Sequence, residues 1–260
     1  MNNLKVKIIG AGGIGGCLIP VLCRVLNFGS AQYSFSQVDV GIIDGDSYEE
    51  RNKDRQGFVE RGNKAEITVN DLEKIFPNLF LTAYPLYIDE DNATLLIEDG
   101  DVVFLGVDNH KTRRLVSHHC EEVDNVVLIS GGNDYTDGNV QVFIRKDGQN
   151  ITPPIHVVHK GIENPPEDDL HPNEEEEDRS GCLEEAQAAP QLLIANNMAA
   201  ALMLNAFHNW IDKPESFENP VLGYDEVCFD LNGNVTDTKA HKLNGQLIDK
   251  KSQLIDRKIA

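Results

Sequence analysis

The chain has 260 residues, 40% of them hydrophobic, enough to bury a sizeable core as one large domain or two small ones. Lys and Arg number 23 against 43 Asp and Glu, a formal charge of −20, which makes it a poor candidate for binding nucleic-acid phosphates. Its five cysteines, Cys17, Cys23, Cys120, Cys182 and Cys228, form no C-x-x-C pair, which excludes a zinc ribbon and a dithiol redox motif. Lys5 and Lys7 interrupt the opening, so it reads as a strand rather than a signal peptide, and a soluble, reduced, cytoplasmic protein is expected.

Leu4 to Ile9 is an apolar run ending in glycines and predicts a buried parallel strand. Ile14 to Leu26 has helical spacing, Val38 to Ile43 is a second β-branched run, and Lys64 to Ile75 predicts a helix stopped by Pro77. A strand over Leu79 to Ala83, a short helix over Asn92 to Ile97, a strand over Val102 to Val107, a helix over Lys111 to Glu122 and a strand over Val126 to Ser130 come next. This alternation predicts an α/β, Rossmann-like, doubly wound and mostly parallel sheet. Asn139 to Arg145 then alternates like an antiparallel strand. Ile151 to Gly181 carries five prolines and no periodicity, and reads as a loop leaving a single domain. Its acidic part, Glu163 to Asp178, holds nine carboxylates. Glu184 to Ile211 reads as a helix kinked near Pro190. Asn196, Asn197, Asn205, His208 and Asn209 make its apolar part a buried helix rather than a membrane span. Tyr224 to Leu231 and Asn234 to Thr238, joined by Asn232-Gly233, predict a hairpin with a type I′ turn that extends the sheet with antiparallel strands.

Gly10-Ala11-Gly12-Gly13-Ile14-Gly15 fits G-x-G-x-x-G between a strand and a helix. Gly10 permits the tight turn, Gly12 lets a phosphate approach the backbone, and Gly15 lets helix and strand pack. The helix N-terminus then offers N–H groups to an anion. Asp44, closing the second strand, stands where a ribose-binding carboxylate belongs. These features serve NAD and ATP equally.

The residues after Asp44 separate the two cofactors. Asp44-x-Asp46 precedes Asn52-x-x-Arg55-Gln56, Lys64 sits in Gly62-Asn63-Lys64-Ala65-Glu66, and Asp108-Asn109 opens the helix after the fourth strand. In this order, over about the first 115 residues, the chain resembles the ThiF/MoeB branch of the ubiquitin-activating superfamily. Its shortness resembles stand-alone bacterial or mobile-element members. The resemblance implies an ATP-dependent adenylyltransferase that converts the C-terminal glycine carboxylate of a ubiquitin-like or sulfur-carrier protein into acyl-AMP. It further implies that Gly10, Gly12, Gly13, Gly15 and Asp44 hold the nucleotide. Asn52, Arg55, Gln56 and Lys64 would surround the triphosphate, Asp108 would bind Mg2+, and a homodimer would form. Such chemistry crowds negative charge at one phosphorus, where cations help most. A plain structural account stands beside it: Asp44 capping a turn, Arg55 and Lys64 as surface charges, Asp108 as helix N-cap.

Cys182, before the long helix, matches a position at which some members form a thioester, and buried structural cysteines occupy the same place in others. Cys17, Cys23 and Cys228 read as core. His118-His119-Cys120 are adjacent on a helix and point apart, while His156, His159 and His171 have irregular spacing, so none predicts a metal centre. The family's C-x-x-C zinc site is missing, so no zinc is expected. With the first strand expected from about Leu4, the family's N-terminal arginine arm is not expected, and Arg51, Arg113 and Arg114 are its candidate replacements. Two other functions stay open: an NAD-dependent oxidoreductase, which leaves Asn52, Arg55, Gln56, Lys64 and Asp108 unexplained, and a non-catalytic scaffold subunit.

Overall fold

The apolar runs of the first half of the chain lie side by side as parallel strands, and all but the edge strand Phe80–Tyr84 are largely buried on both faces, with helices above and below. The structure, a computed structural model, describes residues 3–32, 35–48, 60–166, 169, 190–212, 223–233 and 235–247. In chain order, β1 (Leu4–Ile9), α1 (Gly13–Gln32) and β2 (Val38–Ile43) are followed by the short antiparallel pair β3 (Ser47–Tyr48) and β4 (Gly62–Asn63). Then come α2 (Lys64–Ile75), β5 (Phe80–Tyr84), α3 (Ala93–Leu96), β6 (Asp101–Leu105), α4 (His110–Glu122) and β7 (Val126–Asn133). The second half holds β8 (Asp137–Lys146), β9 (Gln149–Asn150), α5 (Ile155–Val158), α6 (Lys160–Glu163), α7 (Pro190–Ile211), β10 (Glu226–Asp230) and β11 (Val235–Lys239).

The main sheet runs β11-β10-β8-β7-β6-β1-β2-β5, with β9 paired to β8. Strands β7, β6, β1, β2 and β5 are mutually parallel, and β8, β10 and β11 extend the sheet antiparallel, as expected. Alternate side chains feed two cores. Val6, Ile8, Val40 and Phe104 face α1, α2 and α7, whereas Ile9, Ile43, Val103 and Leu105 face α3, α4, α5 and α6. Helix α7 is the buried helix expected: Ala199, Met203, Phe207 and Trp210 lie in the first core, and Phe207 meets Phe104 edge-on at 5.5 Å. Among the described residues no helix is long and apolar enough to cross a membrane.

Several local expectations need correction. Helix α7 is described from Pro190, and positions 184–189 of the expected longer helix lie outside the described residues. The stretch from Ile151 begins with structure: α5 and α6 bury Ile155 and Ile162 in the second core. Strand β6 ends at Leu105, so Gly106, Val107 and Asp108 form a loop. The type I′ geometry, which requires φ above zero at both central residues, occurs at Asp147 (φ 49°) and Gly148 (φ 69°) between β8 and β9. Neither Asn232 nor Gly233 has a positive φ. That connection has room for a longer turn, in which the Asp230 carboxylate accepts the Asn232 N–H at 2.8 Å.

The β1–α1 turn tolerates no side chain at two points. Gly10 has φ +95°, and a Cβ on Gly15 would stand 2.0 Å from the Gly10 carbonyl oxygen. Gly15→Ala should therefore destabilise the protein by roughly 3 kcal/mol, read from urea unfolding. The antiparallel extension is held by a buried carboxylate. Glu226 on β10 accepts from Asn139 at 3.0 Å and lies 2.9 Å from His159 Nε2 and 3.3 Å from Lys239 Nζ. Burial pushes its pKa up, but the His159 and Asn139 contacts and the charges of His159 and Lys239 prevail and bring it to about 2. A carboxyl depressed on folding contributes stability above its unfolded value and loses it as pH falls through the folded one. Glu226→Gln should cost about 2 kcal/mol at pH 7, and its difference from wild type should vanish between about pH 4.5 and pH 2.

Candidate active site

Strands β1, β2 and β6 end at one edge of the sheet, and β1 lies between its two parallel partners. That is the point where strand order reverses and a doubly wound sheet leaves a crevice. Asp44 closes β2 there. Its Oδ2 accepts the Ala11 N–H at 2.6 Å, and its Oδ1 accepts the Asp46 N–H at 2.8 Å. Burial pushes this carboxyl's pKa up, while the Lys64 charge and the two N–H donors pull the other way. Each oxygen retains a lone pair for a hydroxyl donor such as a ribose. Asp44 is therefore more than a local turn cap, since one of its oxygens reaches the glycine loop on another strand.

Asn63 joins α2 to the same place. Its side-chain oxygen accepts the Glu66 N–H at 3.1 Å, and its amide donates to the backbone oxygens of Asp44 at 2.8 Å and Asp46 at 3.1 Å. Lys64 comes next and is buried, at 8% exposure, so the surface-charge account of it is overturned. Its ammonium donates to Asp46 Oδ2 at 2.8 Å, leaving two further donors. The Tyr87 hydroxyl donates to the other Asp46 oxygen.

Asp108 is not the N-cap of α4. Asn109 takes that role by accepting the Thr112 N–H at 2.8 Å, and Asp169 accepts the His110 N–H at 2.6 Å and the Lys111 N–H at 3.0 Å. With the cap supplied by neighbours, Asp108 stays exposed at the site, a hard oxygen ligand suited to Mg2+. Arg113 donates to Ser130 Oγ at 2.7 Å, to the Gly131 oxygen at 2.8 Å and to the Val107 oxygen, tying the ends of β6 and β7 together. Burial pushes its pKa down to about 10, opposed by Asp108 and Asp169, so it remains a cation at neutral pH. Arg114 lies 3.9 Å from Glu163. Arg51, Asn52, Arg55, Gln56 and Cys182 lie outside the described residues. Strands β3 and β4 bracket positions 51–56, with Ser47 paired to Asn63 beside Asp46 and Lys64.

Two compartments meet here. A pocket of about 170 Å³ is lined by Gly10, Gly12, Asp44, Asp46, Tyr87 and Ile88. A cleft of about 1100 Å³ runs over β7, β8 and β10, past Asn139, His159, Glu226 and Lys239. Gly13, Lys64, Gly106, Val107 and Asp108 line both. Tyr87, Asp169 and Glu226 are site residues that the sequence reading missed. Tyr87 had a usable signal, since it comes just after the end of β5, a parallel strand finishing at the same edge. Cys228, read as core, is half-buried and lines the cleft.

A profile of the ThiF family matches residues 1–244. The chain is 26% identical over 152 residues to the adenylyltransferase and sulfurtransferase UBA4 of Meyerozyma guilliermondii, covering 57% of this chain and 33% of that protein. It is 29% identical over 147 residues to the probable adenylyltransferase/sulfurtransferase MoeZ of Mycobacterium tuberculosis, covering 55% and 33%. The matched region thus spans about a third of these relatives' length. Escherichia coli MccB, in a structure with ATP, superposes with a TM-score of 0.62 at 17% identity over 91% of this chain and 63% of that one. PaaA superposes with a TM-score of 0.60 at 14% identity, covering 91% and 64%. Fold, ordered motifs and profile agree: the chain belongs to the ThiF family.

Proposed function

We propose that the protein is an ATP-dependent adenylyltransferase that activates the C-terminal glycine carboxylate of a ubiquitin-like or sulfur-carrier protein. The observation that carries this reading is the meeting of two compartments at Lys64 and Asp108. Adenylation needs a nucleotide on one side, a carboxylate on the other, and cationic help where they touch. The small pocket offers Asp44 to a ribose and the glycine loop to phosphates. The cleft is wide enough for an extended tail and too small for a folded partner, so the partner's body would rest outside.

In this scheme a carboxylate oxygen of the tail attacks the α-phosphorus. An O–P bond forms, the bond to the β-phosphate oxygen breaks, and pyrophosphate leaves with the electron pair. Lys64 supplies positive charge at the junction, joined by Asn52, Arg55 and Gln56 from the neighbouring segment. Asp108 would hold Mg2+, which supplies further neutralisation of phosphate charge. Cys182 would then attack the acyl carbon as a thiolate, releasing AMP and forming a thioester. The whole chain is taken to act as one adenylation domain and as a homodimer. The buried Lys64, the uncapped Asp108 and the family's adenylyltransferase members support this reading over an oxidoreductase or a scaffold.

The test is ATP–pyrophosphate exchange with Mg2+ and carriers ending in Gly-Gly. Exchange should depend on the carrier and fall by about 10²-fold or more in Asp108→Ala and Lys64→Ala. Exchange that ignores Asp108→Ala, or tight NADH binding without ATP binding, would overturn the assignment. Cys182→Ala should leave exchange intact and abolish a hydroxylamine-sensitive thioester between the protein and its carrier.

A further inference from the structure

Behind one wall of the cleft, three elements bring together side chains that are far apart in sequence. His118 and Glu121 stand three residues apart on α4, hence on one side of that helix, and His156 reaches them from α5. One ligating atom from each of the three lies within 4.8 Å of the others. His156 Nε2 is 3.4 Å from Glu121 Oε2, and the two imidazoles stack with centroids 4.0 Å apart. Glu163, on α6, places Oε2 2.9 Å from His118 Nε2.

We propose that His118, Glu121 and His156 bind a divalent first-row transition metal, zinc foremost, with water in the remaining position and Glu163 holding His118. Bonds of about 2.0–2.2 Å put the ligand atoms of a tetrahedral ion about 3.4 Å apart, the separation already present between His156 Nε2 and Glu121 Oε2. Two imidazoles with one carboxylate suit zinc and its neighbours, whereas Mg2+ takes oxygen ligands. The site also has outer support. Ser117 is fully buried, and its Oγ lies 2.8 Å from His156 Nδ1. When Ser117 accepts from Nδ1–H, the ring is fixed and the Nε2 lone pair faces Glu121, as ligating histidines require. His118, Glu121 and Glu163 are partly exposed, which gives an ion a way in.

The ion would have a structural task. Helices α5 and α6 have four residues each, too few to hold themselves, and their residues Val158, His159 and Lys160 line the cleft. Helix α4 starts just after Asp108. A metal bridging α4 to α5, with Glu163 of α6 hydrogen-bonded to His118, fixes that wall relative to Asp108. The missing C-x-x-C pairs therefore do not settle the zinc question, because this ligand set contains no cysteine. The proposal is independent of the adenylation reading.

The test uses the full-length protein, stripped with chelator and titrated with Co2+ and then Zn2+. One equivalent of Co2+ should bind with the visible absorption of a four-coordinate site, be displaced by Zn2+, and be indifferent to millimolar Mg2+. His118→Ala and Glu121→Gln should each weaken binding at least about tenfold. Zn2+ should slow amide exchange across residues 155–163. If His156→Asn fails to fold, His118→Ala and Glu121→Gln on the exposed side carry the test. Failure to bind one equivalent, or stoichiometric binding unchanged in His118→Ala and Glu121→Gln, would overturn the site.

Discussion

A single buried carboxylate organises the working edge of this protein. Asp44 ends β2, accepts the Ala11 N–H of the glycine loop with one oxygen and the Asp46 N–H with the other, and lies beside the amide of Asn63 at the start of α2. Taking a charge out of water is costly unless hydrogen bonds and nearby cations compensate it. Here the two N–H donors and Lys64 offset part of that cost, and burial still holds the Asp44 carboxyl above its ordinary pKa. The arrangement fixes the glycine loop, the Asp-x-Asp turn and the head of α2 relative to one another before any ligand arrives, so a nucleotide would meet a preorganised pocket.

The second half of the chain builds a different wall. Beyond the parallel strands, β8, β10 and β11 add a surface whose buried charge, Glu226, is matched by His159 and Lys239. The acid run contributes a specific contact here. Asp169 sits at the N-terminus of α4, where backbone N–H groups and the helix dipole favour an anion. Because Asp169 and Asn109 satisfy the α4 terminus, Asp108 is left over for other partners. An acid-rich chain can still carry cations at its site, since Lys64 is buried where the compartments meet and Arg113 is buried along the cleft.

Much of this was legible because the signals are local and strong. Strands buried on both faces give unbroken apolar runs, and Asp44, Lys64 and Asp108 each stand at an element's end on the same edge of the sheet. Three kinds of feature escaped. Strands β3 and β4 have two residues each and carry no periodicity. Helices α5 and α6 are single turns inside a proline-containing stretch, where composition suggested a loop. The turn dipeptides Asp147-Gly148 and Asn232-Gly233 look alike in sequence, and only the pairing register, two intervening residues against four, decides which adopts the I′ form. The His118–His156 meeting was invisible for a similar reason: spacing along the chain says nothing about two helices packed side by side.

The most direct measurement is calorimetric titration of the protein with Mg2+–ATP and, separately, with NADH, on the wild type and on Asp44→Asn. An asparagine amide turns a donor toward one of the two N–H groups that Asp44 now accepts, so the pocket's central compensation fails. ATP should bind and NADH should not, and Asp44→Asn should weaken ATP by at least about tenfold while the protein remains folded. Saturable NADH binding without ATP binding, or ATP binding indifferent to Asp44→Asn, would contradict the account.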